Sequence, residues 1–186
     1  MAINAAIIGK ITKEDLSSKM KSFIEDAKNS IYFAAELNED AKKCDILLDA
    51  SCDGQVLFTY KGSTSRILCD NPIDCIENTI FVLSEKSPLS ITEDDFAEIV
   101  GPEGKYYGIK APVKAFAENK ADMSGLEKVG KEGQLLVHLD GDANMGETSA
   151  ILGNIAKKIG NDDVVFSTRY TDFEPGMVDL STWSKN

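Results

Sequence analysis

The sequence predicts an α+β fold: a mainly antiparallel sheet packed against helices, with a C-terminal β-α-β unit. Three observations carry that expectation. Between residues 31 and 69 short apolar alternations are separated by tight-turn dipeptides, the pattern of an antiparallel meander with one face on a core. Two stretches, starting at Thr12 and Asn71, repeat apolar residues at helical spacing. The stretch from Gln134 to Tyr170 reads strand, capped helix, strand without internal conflict.

Taken in order, Met1 to Lys10 is weakly apolar, with no basic leader or cleavage-like site; it reads as a first strand or an ordered tail. Thr12 opens a helix with Asp15 at its third position, and Leu16, Met20, Phe23, Ile24 and Ala27 form its apolar stripe. Strands are expected over Ile31–Leu37, Cys44–Ala50 and Val56–Tyr60, with a further short one over Arg66–Cys69. Asp53-Gly54 and Lys61-Gly62-Ser63 supply the turns. Asn71-Pro72 opens a second helix to about Glu85, with Asp74 and Glu77 outward, although Thr79 to Leu83 is also β-prone. Thr92 caps a short helix carrying Phe96, Ile99 and Val100 inward, stopped by Gly101-Pro102. Lys105 to Lys110 reads as a strand, Pro112 to Glu118 fits more than one element, and Asn119 to Gly133 reads as a loop with a helical turn near Leu126.

In the C-terminal stretch Leu135, Val137 and Leu139 alternate with His138 and Asp140, and Leu136 suggests cover on both faces. Asn144 and Glu147 make a capping box, Ile151, Leu152, Ile155 and Ile159 make a stripe, Lys157 and Lys158 suit the helix C-terminus, and Gly160 stops it. Val164 to Tyr170 is the returning strand, and beyond it the chain offers only a Pro175-Gly176 turn and the single tryptophan, Trp183. This stretch resembles the strand-helix-strand in the C-terminal domain of FtsZ-like proteins over about a fifth of the chain. The glycine-rich nucleotide signature of that family is absent, so the resemblance implies no GTP site. Residues 79–110 and 134–170 share one order of elements, which raises a duplication if Thr79 to Leu83 is a strand.

At 186 residues the chain is expected to form a single α+β domain, 1–186, with 119–133 as the place for any subdivision. Its net charge is −11 and its isoelectric point about 4.6. Such a surface opposes direct binding to nucleic-acid phosphates or anionic lipid, and no apolar run is long enough for a membrane helix. Cys44, Cys52, Cys69 and Cys75 show no zinc spacing and read as buried reduced thiols, which fits a cytoplasmic protein.

One turn gathers groups with chemistry: His138, Asp140, Asp142, Asn144 and Glu147. Asp140, Asp142 and Asn144 match the first ligands of a calcium loop, but Met145 replaces the required glycine and the bidentate terminal glutamate is missing. The turn reads as a polar helix start, and His138 as an unpaired or surface histidine. The acidic run Glu93, Asp94, Asp95, Glu98 reads as a solvated helix start. No catalytic, cofactor or metal residue is assigned, no cofactor is expected, and the reading leans away from an enzyme. The function expected is a non-catalytic acidic interaction or assembly module. It binds a protein partner, basic in charge, partly by electrostatics, with homo-oligomerisation open. Two alternatives stand beside it: a small metal-dependent hydrolase using His138, Asp140, Asp142 and Glu147, and an acidic mimic of nucleic acid that inhibits a DNA- or RNA-handling protein.

Overall fold

The computed structural model describes residues 3–26, 29–84, 90–129, 133–161, 163–170 and 174–186. Helices combine with mixed sheet, and the chain divides into two compact units, Met1–Gly104 and Lys105–Asn186. The division falls near the start of a strand, ahead of the 119–133 segment. Ala27 and Glu85, the ends of two expected helices, and Pro88 lie outside the described residues.

In the first unit β1 (Asn4–Ile8) sits between β2 (Ser30–Ala34) and β3 (Ile46–Asp49), parallel to both. The expected meander therefore begins only at β3, which pairs antiparallel with β4 (Gln55–Tyr60), itself antiparallel to β5 (Ser63–Leu68). β1 and β2 are parallel because a helix joins them, and a helical crossover returns the chain in the same direction. The β4–β5 hairpin closes through Lys61 and Gly62, both at positive φ (49° and 79°), the twist-matched turn that two-residue hairpins favour.

The first helix starts later than expected. Thr12 caps only a 3₁₀ turn, its N–H donating to Asp15 Oδ2 at 2.8 Å. The true start is α1 (Ser18–Glu25), because Ser17 Oγ accepts from Met20 N at 3.1 Å. α2 (Pro72–Ser84) is helical through Thr79 to Leu83, and every residue from Cys75 to Leu83 is buried. That removes the strand which a duplication of 79–110 and 134–170 would need. A helix covered all round also has no outward side at Glu77, which is buried rather than solvated. Its carboxylate accepts the N–H and the hydroxyl of Ser17, both at 2.6 Å, so one side chain ties α2 to the start of α1. Phe23 and Phe81 pack edge to face between the same two helices, 5.5 Å apart. α3 (Glu93–Val100) has its Thr92–Asp95 capping box and sets Phe96 against Phe58 of β4 at 5.0 Å.

In the second unit the sheet order is β6 (Glu103–Pro112), β9 (Met177–Lys185), β7 (Leu135–Gly141), β8 (Val164–Tyr170). β6 begins at the last two residues of the first unit. β7 is parallel to β8 and antiparallel to β9. Helices α4 (Val113–Ala117) and α5 (Met145–Ile159) lie together, and Asn154 Nδ2 donates to the carbonyls of Phe116 and Ala117 at 2.9 and 3.0 Å. Leu135, Val137 and Leu139 meet Ile151, Ile155 and Phe116 in one core. The tail beyond Tyr170, expected to be irregular, is instead the long strand β9, with Trp183 fully buried. Its Ser181, Thr182 and Ser184 are buried too; their polarity hides the strand from a hydrophobic pattern.

Candidate functional site

The C-terminal ends of β7 and β8 and the first turn of α5 form one corner of the second unit. α5 begins where Asn144 Oδ1 accepts from Glu147 N at 3.0 Å, while Glu147 Oε2 accepts from Asn144 N at 3.0 Å. This reciprocal cap satisfies two helix-end donors that would otherwise need water. It also occupies Asn144 and Glu147. Asp142 Oδ2 accepts from Gly176 N at 3.2 Å and so holds the turn ahead of β9.

His138 and Asp140 point the other way. β7 alternates, so Leu135, Val137 and Leu139 face α5 while Leu136, His138 and Asp140 face the opposite side. His138 is fully buried, which corrects its reading as a surface or unpaired histidine. Its Nδ1 lies 3.1 Å from Ser167 Oγ, the residue opposite it on β8. Ser181 is its partner on β9, and Ser181 Oγ lies 3.3 Å from Tyr106 Oη. One step along, Arg169 on β8 stands opposite Asp140, with Nη1 3.7 Å from Oδ2. Ser167 is the hydroxyl beside His138, a neighbour that only the strand register reveals. Ser167 is itself buried, and neither it nor His138 lines the crevice at the α5 corner. His138, Asp140, Asp142 and Glu147 therefore do not converge: two are buried on one face and two pin the α5 corner. Among the described residues no group of three or more His, Cys, Asp or Glu is placed to hold a metal ion.

On the α5 side of the same corner lies a crevice of about 410 Å³. Leu139, Ala143 and Val178 supply apolar wall; Thr148, Ser149 and Thr168 supply hydroxyl-bearing lining. Gly141 lies at its floor for a steric reason: a Cβ there would stand 2.3 Å from the Met177 carbonyl oxygen. Met145 and Tyr170 line it as well, and they are 88% and 71% exposed. With Leu37 they are the exposed large apolar side chains among the described residues. Met145 is the first residue of α5 and Tyr170 the last of β8, so each is presented by a fixed element end. From sequence Met145 stands only where a calcium loop would need glycine and Tyr170 only as the end of a strand; the signal for exposure was an apolar residue just after a capping asparagine, where a helix stripe has not begun.

A wider cleft of about 630 Å³ lies in the first unit, lined among others by Lys42, Cys44, Asp45, Tyr60, Lys61 and Glu93. Its cations are already engaged, Lys42 with Glu39 and Lys61 with Asp94, both at 2.7 Å. Cys44 is half-buried, and that burial, then Asp45 and Asp40, raises its thiol pKa, which disfavours the nucleophilic thiolate. All four cysteines are free thiols. Cys69 and Cys75 are buried, whereas Cys52 is exposed, a correction to the uniform burial expected from sequence. No helix among the described residues is long and apolar enough to cross a membrane.

No protein-family model matches the chain, and a search of curated proteins finds no relative.

Proposed function

We propose that this protein is a non-catalytic interaction module that docks a protein partner on the α5 corner, with Met145 and Tyr170 as its apolar anchors. The observation that carries the reading is their placement: two strongly exposed apolar side chains, held by element ends, line the same crevice. Water contact at such groups is released on binding; Tyr and Met are both enriched at interfaces, and Tyr is among the residues that carry most of the binding energy. The occupant is an apolar side chain of a partner with a basic surface. Charge supports the second half of that statement. Residues 1–104 hold 19 Asp and Glu against 10 Lys and Arg, a net −9, and residues 105–186 hold 12 against 10, a net −2. A surplus of that size speeds encounter with a cationic partner and repels a second copy. Free thiols fit a reducing compartment such as the cytoplasm.

The metal-dependent hydrolase draws no support from side chains that face apart and hold backbone in place. A nucleic-acid mimic needs a dense acidic strip, whereas Glu39, Asp40 and Asp94 are interleaved with Lys42, Lys43 and Lys61.

The test is quantitative capture from cell extract by wild type and by the Met145→Ser, Tyr170→Ser double variant, at low and high salt. A true partner is retained by wild type at low salt and weakened by salt. The double variant binds it about tenfold or more weakly, the loss expected for removing interface anchors. Equal retention by both proteins would remove the reading.

A further inference from the structure

The first unit carries an edge that the proposed docking corner does not use. β2 pairs with β1 and with no other strand among the described residues. Which of its backbone groups face outward follows from two hydrogen bonds. Ser30 N donates to Ile3 O at 2.9 Å, and Ala34 O accepts from Gly9 N at 3.0 Å. In a strand the N–H and C=O of one residue point to the same side and alternate along the chain. Ser30, Tyr32 and Ala34 therefore face β1. Ile31 and Phe33 face away, each offering one donor and one acceptor.

Side-chain burial shows the same opening. On the neighbouring strands Ala5, Ile7, Ile46 and Leu48 are buried, whereas Ile31, Tyr32, Phe33 and Ala34 of β2 all remain partly exposed. An exposed strand usually carries a charge, a proline or a bulge that blocks further pairing. The β2 sequence, Ser-Ile-Tyr-Phe-Ala, has no charge and no proline, and its register with β1 runs without a break. Just beyond it Leu37 is 52% exposed.

We propose that β2 is a strand-accepting edge, and that its occupant is an extended basic segment of a protein partner, added beside Ile31 and Phe33. This rests on the interaction-module reading and adds a second contact and a partner chemistry. Backbone pairing supplies affinity without demanding sequence, and alternate side chains of the incoming strand cover the half-exposed β2 face. Charge chooses the sign. Between Glu25 and Lys43 the sequence has five carboxylates and three lysines, within a unit of net −9. An acidic strand would meet repulsion, and so would the same edge of a second copy.

The experiment is amide hydrogen exchange by NMR on the full chain, titrated with an alternating Lys-Val peptide of about eight residues, long enough to span a typical strand. An alternating Glu-Val peptide is the control. The Lys-Val peptide is expected to slow exchange at the Ile31 and Phe33 amides at least tenfold. The Tyr32 amide, already bonded to β1, changes little, and the Glu-Val peptide has no effect. Ile31→Pro, which deletes an outward N–H and no bond to β1, is expected to weaken the peptide at least tenfold. If that variant unfolds, the wild-type exchange data decide alone. Unchanged exchange at Ile31 and Phe33 in saturating Lys-Val peptide would overturn the proposal. So would equal protection by the Glu-Val peptide, or protection that grows with protein concentration alone, the mark of a second copy. Protection appearing only around Met145 and Tyr170 would sink the edge and leave the docking corner standing. Edge protection, together with partner binding indifferent to the Met145 and Tyr170 substitutions, would do the reverse.

Discussion

Glu77 is the residue whose role departs furthest from its type. Burial raises its carboxyl pKa above the ordinary value, opposed in part by the side-chain and backbone hydrogen bonds from Ser17. For an acid raised in the folded state, the unfolded chain ionises first as pH rises. The group therefore costs stability progressively from just above the usual glutamate range, and the cost is relieved on acidification. Glu77→Gln keeps an acceptor for the Ser17 N–H and removes the ionisation. Its melting temperature relative to wild type is expected to be higher at pH 7 than at pH 4; a pH-independent difference would contradict this. Glu77→Ala, which leaves Ser17 N–H without its partner, is expected to cost about 1–3 kcal/mol in chemical denaturation. Asp95 works in the opposite sense: hydrogen bonds from the Thr92 hydroxyl and N–H lower its pKa, so its capping contribution is present at neutral pH and lost as pH falls below the usual aspartate range. The spacing Thr92-x-x-Asp95 announces that cap in the sequence. Glu77 announces nothing, because an acidic residue on a helix reads as solvated until its partner, 60 positions away, is known.

At the scale of the element, local chemistry and legibility go together. α5 runs from the residue after Asn144 to the residue before Gly160, and β8 from Val164 to Tyr170, as their caps and alternation indicate. Gly160, at φ 65°, takes the left-handed conformation that ends a helix. α3 is equally legible. β9 is not, since half of its buried set is Ser and Thr, which leave no apolar alternation to read. The parallel placement of β1 between β2 and β3 is invisible for a related reason: pairing is decided by distant residues, and periodicity reports only a face. The weight of β9 can be measured. Trp183 stands opposite Leu136 on β7 and packs against Tyr106 with tilted rings whose centres are 5.3 Å apart. Trp183→Ala is expected to cost about 3–5 kcal/mol in equilibrium unfolding. A loss below about 1 kcal/mol, the range of a surface substitution, would show that the strand is not a core element.

For the molecule as a whole, the decisive quantity is how charge and exposed apolar surface divide. Nearly all the net negative charge belongs to residues 1–104, while Met145 and Tyr170 belong to residues 105–186. Counting charge over the chain could not find this, because no glycine- or proline-rich linker marks the boundary, which falls at the start of β6. The candidate site was half legible for the same kind of reason. Its capping residues stood out, but its apolar lining did not, and the histidine that drew notice turned out to face the other side of the sheet. Association with a basic partner is expected to slow as salt rises, with dissociation changed far less, since steering acts mainly on encounter. The measurement that tests the docking corner most directly is peroxide footprinting of methionine in the free protein and in the captured complex. Met145 is expected to oxidise readily when free and to be strongly protected in the complex, while Tyr170→Ser reduces that protection. Oxidation of Met145 at the same rate in both states would contradict the account.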